Sequence, residues 1–384
     1  MKLCYKILIV TAFLPLIIYS QTYQVYKESF DADDFETLDL DLNNSSLIIE
    51  KSNDDKVHFD FSIEFKNYLK KETESVIRSA NVSANTEGNQ LKLRAGSDSF
   101  ISGTALSFEN GLILELSKHQ KTDKNFKVGR KSKQDILSLI QASKKNSVED
   151  FLMKHKEIDE DGNRKKIDMN KVKMLQTNFV VSVPEKLKYS IKAQNSNINF
   201  NLDINSLVEI VAENSSFKFK KIAHPSNTIE LKNGKISIQD LKGGSYIFDN
   251  VRQVRIAELD SVTIQSEFSN LEIGELGKNV SIDDFNSKFW IYNFNQNFGL
   301  LKMNIEYSEL NLFYPENSDY SLTTYGHTTK HIHDNISFET PPRRDKTPSK
   351  MFVIGDEKKA YNSIDITTEH SIIRFGEDYI DLSK

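Results

Sequence analysis

The sequence predicts a mostly β protein, a single-stranded-coil β-solenoid of the right-handed parallel β-helix type, with rungs of about 19 residues and a small helical insert. Two observations support this prediction. Short segments that alternate apolar and polar residues recur along residues 193–312, and many follow a polar pair such as Asn-Ser or Asn-Gly. Alternation is typical of a strand buried on one face, and Asn, Ser and Gly tolerate the tight backbone of a corner.

Two series of apolar pairs repeat through this region. The first series is Ile198/Phe200, Phe217/Phe219, Ile236/Ile238, Val254/Ile256, Leu271/Ile273, Phe289/Ile291 and Leu310/Leu312. The second series lies between these pairs and is Val208/Ile210, Ile229/Leu231, Tyr246/Phe248, Val262/Ile264, Val280/Ile282 and Leu301/Met303. Two strands per period favour a solenoid over an antiparallel meander or sandwich, because a meander need not repeat the same local sequence at every second strand.

The polar pairs predict one corner of successive coils, where their side chains cap the turn or stack as a ladder. These pairs are Asn195-Ser196, Asn214-Ser215, Asn233-Gly234 and Asn286-Ser287. Stacked coils would align one internal apolar column, formed by Phe200, Phe219, Ile238, Ile256, Ile273, Ile291 and Leu312. Residues 42–51 and 368–379 repeat the same pattern, so we expect them to be the first and last rungs, or capping strands, of the same body.

Residues 1–20 are predicted to be a signal peptide. Lys2 and Lys6 precede an apolar run of signal-peptide length, and small Ser20 precedes Gln21 at a plausible cleavage point. A single membrane anchor is the alternative, but the run is shorter than a bilayer usually needs. We therefore expect an exported protein of the periplasm, the outer surface or the extracellular space, with no transmembrane span after signal removal. The single cysteine, Cys4, lies in this segment, so the mature protein would have no disulfide.

Charge divides the remaining chain. We expect an N-terminal β part at 21–117, a basic helical insert at 118–173, and β repeats with C-terminal capping strands at 174–384. Without the two signal lysines, 48 basic and 55 acidic residues remain, a net charge of −7, whereas the insert alone carries +7. The acidic balance of the whole argues against a nucleic-acid binder.

The insert contains the candidate binding patch. Its first part is rich in cations, namely Lys118, Lys121, Lys124, Lys127, Arg130, Lys131 and Lys133. Such a patch could hold an acidic polysaccharide, lipid headgroups or an acidic protein, and the alternative is a solvated loop that keeps the protein soluble. Two short amphipathic helices are predicted next, around Ile136–Ile140 and Val148–Leu152, with their apolar faces against the solenoid or over one of its ends.

Candidate metal ligands are few. Residues 157–168 fit a calcium-loop template imperfectly, because Glu157 and Asp168 stand where Asp and Glu are expected, so an ordinary acidic turn is favoured. His331 and His333 would share one side of a strand near His327, but a surface histidine cluster without a metal is favoured. We therefore predict no metal and no cofactor. The proline-rich segment 338–350 is predicted to be a loop outside the sheet.

The sequence shows no nucleophile-elbow, zinc-protease, P-loop or dinucleotide-binding motif. Acids near the repeat edges are Asp240, Asp260, Asp283 and Asp284. Glycoside hydrolysis needs two carboxylates that converge on one bond, and the spacing of these four does not clearly bring any two together. We therefore predict no catalytic residue and no enzyme.

The order of segments resembles a known family. The strand KVHFDFSIEF leads to KKETESVIRSANV and EGNQLKLRA, and later FVVSVPEKLKYSIKAQNSNINF starts a ladder that closes with YNSIDITTEHSIIRFGE. With the entry residues Val183, Pro184 and Leu187, this order resembles the bacterial putative-adhesin β-strand-repeat domain family of unknown function over most of residues 25–117 and 174–376. The long insert, and Ser at corners where the family has Gly, depart from that pattern.

The resemblance implies a non-catalytic, secreted or envelope-associated scaffold that presents a β-solenoid surface to a protein or polysaccharide of the cell envelope. Two alternatives stay open. One is a carbohydrate-active β-helix enzyme, and the other is an envelope signalling partner that docks through the basic insert. The sequence does not indicate an oligomeric state.

Overall fold

The computed structural model describes residues 21–97, 104–107, 113–115, 127–141, 156–158, 164–166, 172–314, 320–333, 336–340, 349–354 and 362–383. The predicted signal peptide, residues 1–20, lies outside this set. Neither α-helix in the described part has the length and hydropathy that crossing a membrane requires.

The described chain is mostly β. Its strands are β1 (Gln21–Asp31), β2 (Thr37–Asn43), β3 (Ser46–Lys51), β4 (Lys56–Lys66), β5 (Ala80–Glu87), β6 (Gln90–Ser97), β7 (Thr104–Ser107), β8 (Ile113–Glu115), β9 (Lys127–Gly129), β10 (Lys156–Ile158), β11 (Arg164–Lys166), β12 (Lys173–Val183), β13 (Lys188–Gln194), β14 (Asn197–Phe200), β15 (Asp203–Ile204), β16 (Val208–Glu213), β17 (Ser216–Ile222), β18 (Thr228–Lys232), β19 (Lys235–Lys242), β20 (Ser245–Asp249), β21 (Gln253–Asp260), β22 (Thr263–Glu267), β23 (Asn270–Leu276), β24 (Val280–Phe285), β25 (Lys288–Ile291), β26 (Leu300–Glu306), β27 (Glu309–Phe313), β28 (Tyr320–His327), β29 (Lys330–His333), β30 (Ile336–Glu339), β31 (Ser349–Ile354), β32 (Asn362–Glu369), β33 (Ile372–Gly376) and β34 (Tyr379–Asp381). The described helices are the α-helices Lys70–Ser79 and Lys133–Gln141 and the 3-10 helix Ala32–Asp34.

Successive strands alternate between two long sheets. The first sheet contains β14, β17, β19, β21, β23, β25 and β27, and the second contains β13, β16, β18, β20, β22, β24 and β26. Within each sheet, every one of these strands pairs in parallel with its counterpart from the next repeat. We call one strand of each sheet with its corner a coil. This parallel pairing is consistent with the predicted β-helix-like fold.

The predicted corners are confirmed. Each corner residue has a left-handed backbone, with φ of 51° at Asn195, 52° at Asn214, 52° at Asn233 and 57° at Asn286. Asparagine tolerates this conformation better than most residues because its short amide bonds to nearby backbone. The corner residue also joins coils, since its backbone N–H donates to the carbonyl before the next corner, as Asn214 does to Lys232 at 2.8 Å.

A ladder of buried hydroxyls lies one residue after these corners. The backbone N–H of Ser196 donates to Ser215 Oγ at 3.0 Å, and the same contact joins Ser269 to Ser287 at 2.9 Å. Gly234 replaces serine in this row, because a Cβ there would lie 2.2 Å from the Ser215 carbonyl oxygen. The predicted polar ladder is therefore present, built mainly from serine.

The predicted apolar column fills the space between the sheets. Its members from Phe219 to Leu312 are successive Cα partners, and the Phe200 ring stacks on Phe219 with 4.6 Å between centroids. Ile49 and Phe375 extend the column at its two ends, as expected from their segments. Neither of their strands is outermost, however, since β3 also pairs with β12 and β33 also pairs with β29.

The N-terminal part covers one end of the stack with antiparallel strands. β4 lies antiparallel to both β1 and β12, and β5 lies antiparallel to β6. Only two residues, Gly88 and Asn89, join β5 to β6, and Gly88 has φ of 59°, so the chain must reverse there as a tight hairpin. The α-helix Lys70–Ser79 connects β4 to β5.

The C-terminal coils are stacked out of sequence order. β32 lies between β26 and β28, and β33 lies between β27 and β29. β30 and β31 then pair antiparallel with β29 and β28. The prediction that 338–350 is entirely a loop is wrong at its two ends, because the backbone of β29 and β28 offers hydrogen bonds to these residues. Residues 341–348 lie outside the described part.

The insert packs on the outer face of the first sheet. Its helix Lys133–Gln141 lies over β19, β21 and β23, and Ile136 and Ile140 are buried there with Ala257, Tyr292 and Phe313. The expected contact between its apolar face and the body is therefore present. The second predicted helix, Val148–Leu152, lies outside the described residues. β10 and β11 form an antiparallel pair where a calcium loop would need flanking helices.

Candidate functional site

Three corners carry aromatic residues where six other coils have asparagine. Phe268, Tyr307 and His370 have φ of 49°, 53° and 50°. Bulky side chains rarely adopt this left-handed backbone, and such strain is most often found at functional sites. These three corners therefore depart from the residue that the repeat prefers, which makes them candidates for a functional role.

The aromatic rings form one continuous surface. Phe285, from the coil between, packs edge-to-face on Phe268 at 5.6 Å and on Tyr307 at 5.7 Å between centroids. The Tyr307 ring then stacks on His370 at 4.8 Å with 13° between planes. The exposed fractions are 50% for Phe268, 37% for Phe285 and 51% for Tyr307, so the rings are available to a ligand. We call Phe268, Phe285, Tyr307 and His370 the aromatic edge.

A row of mostly polar residues, which shares Phe285 with this edge, runs along the second sheet. The positions that precede the corners are in register along the second sheet, and they are Glu267, Phe285, Glu306, Glu369 and His327. Neighbouring parallel strands are about 4.8 Å apart, so one coil after another presents a carboxylate, a ring or an imidazole at that interval.

A cleft of about 290 Å³ opens next to the row. It is lined by Asp283, Asp284, Asn304, Ile305, Glu306, His327, Thr367, Thr368 and Glu369, with no Lys or Arg among these lining residues. Asp283 accepts a hydrogen bond from the Asn304 amide at 2.6 Å. Burial raises the pKa of Asp284, although hydrogen bonds from Ser266, Ser287 and Ser308 oppose that rise. Asp284 thus fastens three coils together, while Asp283 faces the solvent.

The predicted histidine cluster is divided by the structure. His331 is buried, its Nε2 lies 3.1 Å from the Thr324 hydroxyl, and burial lowers its pKa to about 4. His333 contacts the Tyr314 hydroxyl instead. The expectation of a surface cluster is therefore wrong for His331, because its register with Ile373 in β33 places it in the interior.

His327 lies with two residues that the sequence prediction missed. Its Nδ1 is 3.6 Å from Glu369 Oε1, and His370 Nε2 is 3.7 Å from the same oxygen. The three potential ligand atoms lie within 4.8 Å of one another. A signal was present in the repeat, since Glu-aromatic-Ser recurs at 267–269, 306–308 and 369–371, with histidine as the ring in the last copy.

The structure describes four of the seven predicted patch residues, and Lys118, Lys121 and Lys124 lie outside it. Lys127 lies 5.4 Å from the centre of the Tyr379 ring, and Arg130 donates to the Tyr292 carbonyl at 3.0 Å.

The other two patch cations pair with acids of the first sheet. Lys131 contacts Glu272, whereas Lys133 contacts Glu258 and lies 3.2 Å from Glu275. These contacts hold the start of the insert to the body. Whether the patch binds an anionic partner stays a prediction.

The four acids considered for catalysis lie on different sheets. Asp240 and Asp260 belong to β19 and β21 of the first sheet, whereas Asp283 and Asp284 belong to β24 of the second. Asp240 is in register with Glu258, and Asp260 with Lys242.

No protein-family model matches this chain, and no curated protein matches it. Among solved structures, the chain is similar to one described as a putative cell adhesion protein from Clostridium sporogenes ATCC 15579, at 1.95 Å resolution. The two sequences are 10% identical, and the alignment covers 93% of this chain and 99% of that chain with a TM-score of 0.17. At that TM-score, the likeness supports no conclusion about fold or function.

Proposed function

We propose that this chain is a non-catalytic, adhesin-like β-solenoid, secreted or held at the cell envelope, whose aromatic edge binds an extended neutral polysaccharide. The observation that carries the proposal is the unbroken row of exposed rings from Phe268 through Phe285 to Tyr307. Soluble proteins rarely leave contiguous apolar surface exposed unless it binds something. The alternating strands and their parallel pairing between successive coils support the solenoid.

The chemistry of the edge suits a sugar chain. A pyranose ring has an apolar face of C–H groups that packs on an aromatic ring, and hydroxyls at its rim that bond to carboxylates and amides. Here Glu306, Asp283 and Asn304 line the cleft, and Glu306 precedes Tyr307 and is in register with Phe285. Because the cleft is lined by acids and by no cation among its described residues, an acidic polysaccharide would be repelled, which favours a neutral one.

The repeat also sets the distance between successive rings. Coils about 4.8 Å apart present ring after ring at an interval close to the length of one sugar unit in an extended chain. A rigid stack keeps these positions fixed before binding, so the protein itself loses little conformational entropy when a long ligand binds.

The test compares binding of chitohexaose and laminarihexaose by calorimetry. Tyr307→Asn and Phe268→Asn remove a ring but keep a residue that other coils use at the same corner, so the fold should persist. We expect each to weaken binding several-fold to about tenfold, the range that aromatic contacts contribute. Tyr379→Asn is the matched control, because Tyr379 is 59% exposed but belongs to β34, which pairs with β9 of the insert.

The outcomes separate the alternatives. Binding that is lost with Tyr307 but not with Tyr379 supports the proposal. Absence of binding to both hexasaccharides would reject it and favour a protein partner, to be sought by crosslinking with and without residues 118–173. Cleavage of a hexasaccharide during the assay would instead identify a carbohydrate-active enzyme.

A further inference from the structure

We propose that His327, Glu369 and His370 form a binding site for one borderline-soft divalent metal ion, of which Zn²⁺ is the type. The site lies where the aromatic edge meets the cleft, and the inference does not depend on glycan binding. It rests on the geometry of the three side chains and on the backbone that brings them together.

The distances are close to those of a metal centre. Nitrogen and oxygen ligands about 2.0–2.2 Å from a tetrahedral zinc ion are about 3.4 Å apart. Glu369 Oε1 lies 3.6 Å from His327 Nδ1 and 3.7 Å from His370 Nε2. The two imidazoles thus approach one carboxylate oxygen, His327 from β28 and His370 from the corner after β32. All three ligand atoms lie within 4.8 Å of one another, so a small rotation of the rings completes three-ligand coordination.

The corner explains how consecutive residues serve one site. In an extended strand Glu369 and His370 would point to opposite faces. At this corner the backbone of His370 is left-handed, with φ of 50°, and its side chain returns to the same side as that of Glu369. Across the coil boundary, His327 is the Cα partner of Glu369, and the next residue, Thr328, is also left-handed with φ of 49°.

The surroundings hold the ligands in place and leave room for a further one. Tyr307 stacks on the His370 ring with 13° between planes, which limits its rotation. Glu306 is the Cα partner of Glu369 on the other side, and the cleft of about 290 Å³ opens beside both. Two imidazoles with one carboxylate and an open position are a donor set for zinc rather than for calcium or magnesium, which prefer oxygen ligands.

A contrasting histidine provides the control. His58 also meets a carboxylate, with Nε2 2.8 Å from Asp54, while its other nitrogen lies 2.8 Å from the Ser29 hydroxyl. Within the described residues, no second histidine joins that pair in a group of potential ligands. An ordinary histidine–carboxylate contact should not bind zinc measurably.

The test is titration of the full chain with ZnCl₂ against a chromophoric chelator, in metal-free buffer. We expect one Zn²⁺ per chain, and at least a roughly tenfold loss of affinity in both His370→Asn and His327→Gln, the scale on which even indirect ligand supports alter metal affinity. His58→Gln should bind as the wild type does. Asparagine occupies the same corner in six other coils, at 44, 195, 214, 233, 250 and 286, so His370→Asn should fold.

A second measurement distinguishes loss of a zinc ligand from loss of structure as the cause of weaker zinc binding. X-ray absorption of the zinc-loaded wild type should show two imidazoles and at least one further oxygen ligand, a signature that a merely structural role would not give. The proposal is overturned if the wild type binds no zinc in a saturable way, or if either variant, folded by circular dichroism, keeps wild-type affinity.

Discussion

The backbone N–H of Ser308 donates to the hydroxyl of Ser371 at 3.0 Å, although 63 residues separate them along the chain. Each of these hydroxyls also donates to the carbonyl two residues earlier, in Glu306 and Glu369, at 2.8 Å. One serine therefore satisfies a buried donor of its neighbour coil and an acceptor of its own. Linked hydrogen bonds of this kind strengthen one another in a low-dielectric interior.

Removing one hydroxyl should weaken the ladder. Ser308→Ala deletes one hydrogen bond of the Ser287 N–H, which lies 3.2 Å from the Ser308 hydroxyl, and one of the charged Asp284 carboxylate, although Ser287 keeps Asp284 as a partner at 3.3 Å. We expect the free energy of unfolding to fall by about 1–3 kcal/mol, measured by urea denaturation. Ser245→Ala, at an exposed position, should change it by no more than about 0.5 kcal/mol. If Ser308→Ala and Ser245→Ala lowered the free energy of unfolding equally, the serine ladder would not stabilise the fold more than an exposed serine does.

The insert helix offers a matched pair of apolar truncations. Ile136 is buried under the helix, whereas Leu139 on the same helix is 37% exposed. We expect Ile136→Ala to weaken docking of the helix by about 2–5 kcal/mol, since it opens a cavity against Ala257 and Tyr292. Leu139→Ala should cost about 0.5 kcal/mol or less. Hydrogen exchange of residues 133–141 measures both, and similar protection in the two variants would contradict docking through Ile136.

Burial of His331 predicts a loss of stability in mild acid. Because its folded-state pKa is lowered to about 4, the unfolded chain takes up a proton first as the pH falls through the ordinary value of about 6.5. The contribution of neutral His331 is therefore complete above that value and declines as the pH approaches 4. Urea denaturation between pH 7 and 5 should show a smaller loss in His331→Leu than in the wild type. An identical loss in both would mean that His331 does not titrate as inferred.

Local sequence was sufficient to predict the coil but not the arrangement of its ends. Asn195, Asn214 and the internal column followed from a repeated pattern, because corner geometry and strand alternation are properties of adjacent residues. The antiparallel cover formed by β1 and β4 could not be predicted in this way. Its pairing depends on which distant strand is free to accept another, and alternation alone does not encode that.

In the candidate site, too, some features could be predicted from local sequence and others could not. The aromatic residues Phe268, Tyr307 and His370 occupy the position of the corner asparagine, so an exception to the repeat was visible in the sequence. The contact of His327 with Glu369 was not, because Glu369 follows His327 by 42 residues and their contact requires β32 to pair with β28. The partners of Lys131 and Lys133 were hidden for the same reason, since Glu272 and Glu258 follow them by 141 and 125 residues.

The out-of-order stacking of β32 and β33 also governs how the chain is completed during translation. Coils from β13 to β27 can be added one at a time as they leave the ribosome, since each pairs with the coil made just before it. β28 and β29 cannot join the growing stack in that way, because the strands that separate them from β26 and β27 are synthesised later. Of the partners that β28 and β29 have in the described structure, β31 and β30 are the ones made before residues 362–376 emerge. The covering strands are thus made before the coil they cover, and the nascent protein stays open at that end until this coil is inserted beneath them.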